Sequence, residues 1–347
     1  MWIAPRLASD FGRSQQPRLF AMLRPAILPL RDVQMQPIEQ TETYSSAEMQ
    51  ALAQHPEVEQ RQTIAYDLRF STNPLTLAIL IDLLNDPDQA VQINAIRSIG
   101  LWGARRNSPS LMQPATQALL ALVQQSHEQM LLDHGLISLG EIGDQLSIDW
   151  CLSQLINQPR SRLCAATALG MLKAEKARPW LLTILADPCQ ASIVRTTCIE
   201  ALSQLAFDLP TNQTLIAALQ DSVAEVREKA GLALCKLGDF SAFKPIWAYI
   251  RLETAIKPSQ VAHALALFGD QAFEPTLAFL NDPDPNLRYW AALALGMFHD
   301  SRAIPALIAL LNDQAQTHTR AVVATAARKS LNRLQNLAVG NPDSTLT

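Results

Sequence analysis

The chain has 347 residues, of which 48% are hydrophobic, 6% are aromatic and 12 are glycine, a composition that favours a soluble all-α protein over a Gly-rich nucleotide-binding fold or a β-sandwich. Its formal charge is −4, from 28 basic and 32 acidic residues, which argues against general nucleic-acid binding because such binding depends on many cationic contacts to phosphates. No apolar run reaches the roughly 18 residues that a membrane span requires, and the five cysteines form no CxxC pair, as expected for reduced thiols in a cytoplasmic protein.

The first segment, residues 1–46, is predicted to be a basic arm. Residues 1–36 contain five arginines and four prolines but only two acidic residues. The prolines interrupt the amphipathic helix that a transit peptide needs, and the segment lacks the apolar core of a secretory signal. We therefore expect a flexible or locally packed arm in front of the folded part of the chain.

From Arg61 onward, one residue pattern repeats along the chain. In the template VREKAGLALCKLGD, Arg227 is followed by a small residue at +3, leucine at +7 and a small residue at +8. The same frame recurs at Arg61, Gln92, Leu132, Arg162, Arg195, Pro258, Arg288 and Arg320. Positions +3 and +7 lie on one helical face. Each frame therefore predicts a helix whose small residues let a neighbouring helix approach closely.

The spacing of the frames is regular except at one step. Successive markers are 30 to 33 residues apart, but Gln92 and Leu132 are separated by 40. The extra length predicts an inserted loop at 105–114, between Arg105 and Pro114, with sequence RRNSPSLMQP. Long insertions in repeat proteins usually lie on one face and can be functional.

A second amphipathic stretch precedes each frame. Several of these stretches begin at proline, which the first turn of a helix tolerates; examples start at Pro74, Pro179, Pro275 and Pro305. Many end at an aspartate, namely Asp86, Asp187 and Asp282 before proline, or Asp221 and Asp313. We expect the aspartate to accept hydrogen bonds from the N-terminus of the following helix. Each unit is thus predicted to be helix, tight turn, helix.

These frames resemble the HEAT-repeat family, and in particular its short bacterial subtype known from phycobilisome lyase-like proteins. The pattern is best kept in NDPDPNLRYWAALALGMFHD, residues 281–300. The resemblance implies an all-α fold, an α-solenoid of about eight to nine HEAT-like helix-turn-helix repeats over residues 47–336. A mobile polar tail at 337–347 is expected to follow. The resemblance is specific for fold and not for function, because such solenoids have many functions.

The resemblance also implies a structural function for the marker arginines. In this family the arginine hydrogen-bonds the turn aspartate of its own or an adjacent unit, forming a ladder. The expected members are Arg162, Arg195, Arg227, Arg288 and Arg320, with Asp187, Asp221, Asp282 and Asp313. The alternative interpretation is a basic stripe available to ligands.

The exposed side of the second helices is the candidate binding surface. With +3 and +7 buried, positions +1, +2, +5 and +9 are expected to face solvent on the concave side. In the middle of the chain these are Leu163, Cys164, Met171, Thr197 and Glu200. The predicted partner-binding residues are Lys229, Lys236, His263, Tyr289, Trp290, Leu293 and Met297. Exposed aromatic and methionine side chains mark partner surfaces; the alternative is that Tyr289 and Trp290 belong to an ordinary core.

The sequence contains no recognisable catalytic or metal-binding motif. The resemblance class includes a di-iron hydroxylase that needs several His-Glu pairs, whereas this chain has one, His127-Glu128, which we place in a turn between helices. No clustered zinc ligands and no nucleotide, hydrolase or zincin motif occur. Cys189 follows the turn at Asp187, either as an inert residue or as a reactive thiol at a helix N-terminus.

The sequence therefore predicts a non-enzymatic scaffold that binds another protein on its concave face, without a cofactor. The alternative, from the resemblance, is a phycobilin lyase subunit or phycobilisome-associated factor that holds a bilin and an antenna subunit. If the protein is an enzyme, it is expected to be a bilin lyase. A third interpretation is a scaffold that assembles other enzymes or a secretion complex.

Overall fold

The computed structural model describes residues 44–106, 108–252 and 259–338. Within these ranges the chain forms α-helices joined by short turns and 3-10 helices, and its one β feature is an isolated bridge between Gln316 and Val322. The helices are α1 Ser46–Ala53, α2 Val58–Asp67, α3 Thr76–Leu83, α4 Gln89–Arg106, α5 Pro109–Gln125, α6 Gln129–Ile142, α7 Ile148–Asn157, α8 Arg162–Met171, α9 Arg178–Ala186, α10 Ser192–Leu202, α11 Leu209–Ala218, α12 Ala224–Leu237, α13 Phe243–Leu252, α14 Ser259–Ala264, α15 Asp270–Ala278, α16 Pro285–Leu295, α17 Ile304–Ala309 and α18 Val323–Ala338. The expected all-α fold is confirmed.

The chain divides into two compact units, Met1–Ala168 and Leu169–Thr347. In unit 1 the helices pair in chain order as the hairpins α1–α2, α3–α4 and α5–α6, followed by α7. In unit 2 the packed hairpins are α9–α10, α11–α12, α15–α16 and α17–α18. Second helices pack on second helices, α2 on α4 and α4 on α6 in unit 1, and each of α10, α12, α14 and α16 on the next in unit 2. This repeated stacking confirms the predicted solenoid of HEAT-like hairpins.

Close approach between second helices explains the small residues of the frame. Ala291 and Leu295, at +3 and +7 of the Arg288 frame, are fully buried in α16. At +8, a Cβ on Gly296 would lie 2.8 Å from the Cβ of Ser330 in α18 and 3.0 Å from its Cα. A larger residue there would have to push α18 away, so glycine is required by the packing.

The turn aspartates hydrogen-bond the turn itself and not the N-terminus of the following helix. Asp86 accepts a hydrogen bond from the backbone amide of Asp88 at 2.8 Å, and it is Asp88 that accepts from Val91 in the first turn of α4. The same relay joins Asp282 to the amide of Asp284, which caps α16. The prediction that the Asp-Pro aspartate caps the second helix is therefore wrong at these two turns, because a second aspartate provides the cap.

The inserted loop expected between Arg105 and Pro114 is also wrong. Helix α4 continues to Arg106 and α5 begins at Pro109, so the additional residues lengthen two helices. Met112 in the first turns of α5 is fully buried. Apolar residues in the insertion therefore extend the core of unit 1 instead of forming a surface loop.

The predicted domain boundaries stay predictions. The arm at 1–46 lies outside the described residues except for 44–46, and so does the tail from 339 onward. The marker Pro258 also lies outside them. In the described ranges, no helix has both the length and the apolar character needed to cross a membrane.

Candidate binding surface

The aromatic patch expected on α16 is largely buried. Trp290 and Leu293 are only 3% and 5% exposed, and the Trp290 ring nitrogen donates to Asn286 Oδ1 at 3.2 Å. The ring of Tyr289 packs edge-on against Trp290 with centroids 4.8 Å apart. The prediction of exposure is wrong for Trp290 and Leu293, because α14 and α18 both pack against α16. Tyr289 and Met297 remain half-buried.

Other positions expected to face solvent are covered for the same reason. Cys164 is 2% exposed and Thr197 is 5% exposed, so the prediction is wrong for both. Glu200, at +5 of the Arg195 frame, is exposed as expected. Packing against neighbouring helices leaves a narrower accessible stripe than a single amphipathic helix would have.

Basic side chains of the last repeats lie at the accessible edge of this region. Arg333 in α18 donates from Nη1 to Met297 Sδ at 2.6 Å. His263 in α14 is half-buried, and within the described part of the chain its Nε2 has no hydrogen-bond partner. Burial lowers the pKa of His263, and the charges of Arg333 and Lys329 lower it further. His263, Met297, Lys329 and Arg333 are called the His263 cluster below.

The His263 cluster has positive groups without carboxylates. Among the described residues, neither Lys329 nor Arg333 forms an ion pair. The thioether of Met297 is a weak acceptor, so Arg333 keeps most of its hydrogen-bonding capacity. The predicted binding residues include neither cation, although Lys329 stands at +9 of the Arg320 frame, a position expected to face solvent. The signal was Lys329-x-x-x-Arg333, since residues four apart share a helical face.

The two lysines predicted on α12 differ in their surroundings. Lys229 Nζ lies 2.5 Å from Glu200 Oε1 in a solvent-exposed ion pair. Lys236, near the end of the helix, is exposed. No hydrogen bond or ion pair among the described residues joins either lysine to the His263 cluster. Their assignment to the partner-binding set stays a prediction.

Three marker arginines each bridge two successive repeats. The pairs are Arg61 with Asp86 at 2.6 Å, Arg195 with Asp221 at 2.8 Å, and Arg288 with Asp313 at 2.8 Å. The arginine also donates to carbonyls of the turn before its own helix; Arg195, for instance, contacts the carbonyls of Pro188 and Gln190. One guanidinium therefore connects its own turn to the aspartate of the next repeat. The stabilising effect of these contacts stays a prediction.

Three further members of the expected ladder make backbone contacts. Arg227 donates to the carbonyl of Asp221 at 2.8 Å, and Arg162 Nε donates to that of Leu155 at 3.3 Å. Asp187 accepts from the backbone amide of Cys189 at 2.9 Å. These contacts organise the turns in which the residues lie.

The remaining two members depart from the predicted pairing. Asp282 pairs at 2.9 Å with Arg251 of α13, which is not a marker residue. Arg320 is exposed, has a φ of 62° and precedes α18. It forms no ion pair in the described part of the chain, so its assignment to the ladder is wrong. The physical reason is the short bridge between Gln316 and Val322, which replaces the first helical turn that the frame predicted.

A buried carboxyl in unit 1 is held by uncharged donors. Asp133 in α6 is 6% exposed and accepts from Gln129 Nε2 at 2.8 Å and from the side chains of Ser161 and Cys164. Burial raises the pKa of Asp133 to about 6, although these hydrogen bonds favour the charged form. Burial also raises the pKa of the Cys164 thiol. The Cys164 thiol is therefore not an activated nucleophile.

A half-buried carboxyl, that of Glu141, lies where α4 and α6 pack. Burial raises the pKa of Glu141 to about 7, although the positive charge of Arg97 acts to lower it. Burial, together with the same arginine, lowers the pKa of His134 to about 4. In the ranges that the structure describes, no group of three or more His, Cys, Asp or Glu residues is arranged to hold a metal ion. Glu141 and Asp133 are therefore both expected to change protonation near neutral pH, Glu141 at the higher pH of the two.

Cys189 is the one exposed cysteine of the five in the chain. We expect a thiol reagent such as Ellman's reagent to modify one thiol rapidly in the native protein and the other four only after unfolding, because modification requires access. The measurement is the time course of thiolate release. A Cys189→Ser variant should lose the rapid phase, and a rapid phase that persists in this variant would contradict the assignment.

Comparison with known proteins gives one family match. Residues 253–331 match the family model of HEAT repeats, which confirms the expected HEAT-repeat resemblance. No curated protein matches the chain.

Three solved structures illustrate the likeness in fold. The complex of CpcE and CpcF of phycocyanin lyase from Nostoc sp. PCC7120 is 17% identical, covers 87% of this chain and 99% of that chain, and has a TM-score of 0.45. YibA of Escherichia coli is 13% identical, with coverage of 94% and 100% and a TM-score of 0.46. Human deoxyhypusine hydroxylase is 18% identical, with coverage of 73% and 96% and a TM-score of 0.31.

Proposed function

We propose that this protein is a HEAT-repeat scaffold that binds an acidic segment of a partner protein at the His263 cluster. The observation that carries the proposal is the pair of cations on α18, exposed Lys329 and half-buried Arg333, neither of which has a carboxylate partner among the described residues. Arg333 contacts Met297, and α18 packs against α16, the helix of Tyr289. Arginine binds carboxylates through paired N–H groups. The half-buried tyrosine and methionine add apolar contact area, as in many protein interfaces.

A protein partner fits these groups better than a nucleic acid does. The chain has an overall charge of −4, which opposes the long-range attraction of a phosphate backbone. The His263 cluster offers two strong cations on one helix, enough for a few carboxylates but too few to follow a polynucleotide. The scaffold proposal requires no cofactor.

The test compares two charge reversals in unit 2. Affinity purification from the native cell, with mass spectrometry, identifies candidate partners, and direct binding is then measured with the purified partner. A Lys329→Glu, Arg333→Glu variant is expected to weaken binding at least about ten-fold, because it replaces attraction by repulsion. The matched control is Lys244→Glu, at an exposed position on α13, which is the first helix of its repeat. Unchanged binding by the double variant would overturn the proposal.

The second candidate function is that of a phycobilin lyase subunit or phycobilisome-associated factor. An open-chain tetrapyrrole carries propionate carboxylates, which Lys329 and Arg333 could bind while Tyr289 contacts the conjugated system. In that case a bilin is the ligand and an antenna subunit is the partner. Mixing the purified protein with a bilin, with and without the apo-subunit, should change the visible spectrum. An unchanged spectrum in both mixtures would remove this candidate.

A further inference from the structure

Unit 1 contains a second concentration of positive charge, built on aromatic rings. Three arginines lie there, Arg69 after α2 and Arg105 and Arg106 in the last turn of α4. Their guanidinium groups stack on the rings of Tyr66, Phe70 and Trp102. These six residues are called the Arg69 cluster.

The stacking holds the guanidinium groups in fixed positions. The Cζ atom of Arg69 lies 3.1 Å from the ring centroid of Tyr66 and 4.5 Å from that of Phe70. The Cζ atom of Arg105 lies 4.7 Å from the same Phe70 ring, so the two guanidinium groups are at most about 9 Å apart. Arg106 stacks on Trp102 at 3.5 Å. A guanidinium that lies flat on a ring leaves its N–H edges free to face a ligand.

Hydrogen bonds of Trp102 and Arg105 to backbone carbonyls stabilise this arrangement. Trp102 is 4% exposed and donates from Nε1 to the carbonyl of Ser71 at 3.2 Å. Arg105 donates from Nη1 to the carbonyl of Arg69 at 3.0 Å. These bonds tie the end of α4 to the turn after α2, so the cluster is preorganised and little conformational entropy is lost when a ligand binds.

No internal carboxylate neutralises the three arginines. Within the described residues none of them forms an ion pair. The carboxylate of Asp67, the acid closest in sequence, accepts from the hydroxyl of Tyr44 at 2.9 Å. Burial and the mutual repulsion of the arginines lower the pKa of Arg105. The repulsion between these like charges decreases when an anion binds between them.

We infer that the Arg69 cluster is a binding site for an acidic peptide segment with carboxylates on alternate residues. Side chains two residues apart in an extended peptide are about 7 Å apart, which lies within the upper limit of about 9 Å that the shared Phe70 ring sets on the separation of the Arg69 and Arg105 guanidinium groups. Each planar carboxylate matches one guanidinium edge. Tyr66, which is 45% exposed, offers a surface for the side chains between the acids.

A structural explanation of the cluster makes a different prediction. Arg105 and Arg106 also lie at the C-terminus of α4, where positive charge complements the helix dipole. Complementing a dipole would give the cluster no affinity for peptides. Binding therefore distinguishes the two explanations.

The test is fluorescence anisotropy with the labelled peptide GESESESEG at about 50 mM salt, where charge attraction is weakly screened. The protein carries Lys329→Gln and Arg333→Gln, so that the His263 cluster does not contribute and this proposal can fail independently of the proposed function. We expect saturable binding, at least about ten-fold weaker for GQSQSQSQG and for a variant with Arg69→Gln, Arg105→Gln and Arg106→Gln. Lys244→Gln is the control and should change nothing.

A milder variant keeps the result clear if the triple change disturbs folding. Arg105→Gln alters one exposed side chain and should weaken peptide binding about three-fold with an unchanged circular dichroism melting curve. The inference would be overturned if the protein bound the two peptides with equal affinity. It would also be overturned if both the Arg105→Gln variant and the triple variant bound GESESESEG as tightly as their parent protein does. Tighter binding of single-stranded RNA than of GESESESEG at the same salt would also overturn it.

Discussion

Replacing Asp221 by alanine is expected to lower the free energy of unfolding by about 3 kcal/mol, because it leaves a buried guanidinium without its counter-charge. The side chain of Arg195 is only 4% exposed and that of Asp221 is 14% exposed. Asp221 also accepts from the backbone amide of Val223 at 2.8 Å, so the turn before α12 loses a hydrogen bond. Urea unfolding followed by circular dichroism measures the change.

Two comparisons show whether burial of the pair is the cause. Glu200→Ala removes a carboxylate from the Lys229 pair, whose side chains are 37% and 55% exposed; it should cost less than about 1 kcal/mol. Adding Arg195→Met to Asp221→Ala removes the uncompensated charge and should recover part of the lost stability. If Asp221→Ala costs no more than Glu200→Ala, the ladder does not stabilise the stack.

The hairpins could be predicted from sequence because the frame encodes them locally. Ala291 and Leu295 are four residues apart and therefore share one buried helical face, and the same spacing recurs in each repeat. Arg320 shows where this reasoning stops. Its frame keeps the spacing of the repeat, although Val323 stands at +3 and Arg328 at +8. The bridge between Gln316 and Val322 decides the local backbone, and cross-strand pairing of this kind leaves no periodic signal.

The binding surface was harder to predict than the fold because exposure depends on neighbouring helices. Trp290 occupies a position that an isolated amphipathic helix would expose, but α14 and α18 cover both of its sides. The Arg69 cluster was missed for a related reason. Arg69 and Arg105 are 36 residues apart in the chain, and only the packing of α2 on α4 brings them to the same ring.

The second large effect concerns pH and Glu141. Its pKa is about 7 in the fold against an ordinary value of 4.5, so the folded state binds more protons than the unfolded state between these values. The contribution of Glu141 to stability is therefore fully present below pH 4.5 and is lost as the pH rises through 7. The whole difference corresponds to about 3 kcal/mol. Glu141→Gln removes this pH-dependent penalty while keeping the size of the side chain.

We expect Glu141→Gln to be more stable than the parent protein by up to about 3 kcal/mol at pH 8, with the gain vanishing as the pH falls to 4. The pKa of His134, lowered to about 4, gives the opposite slope between about pH 4 and 6.5, because folding there favours the neutral imidazole. That contribution is present in both proteins and largely cancels in the comparison, as does the contribution of Asp133, whose pKa burial raises to about 6. Urea unfolding of both proteins from pH 4 to 8 measures the difference. A variant less stable than its parent at pH 8 would show that attraction between Glu141 and Arg97 exceeds the cost of burying the carboxylate.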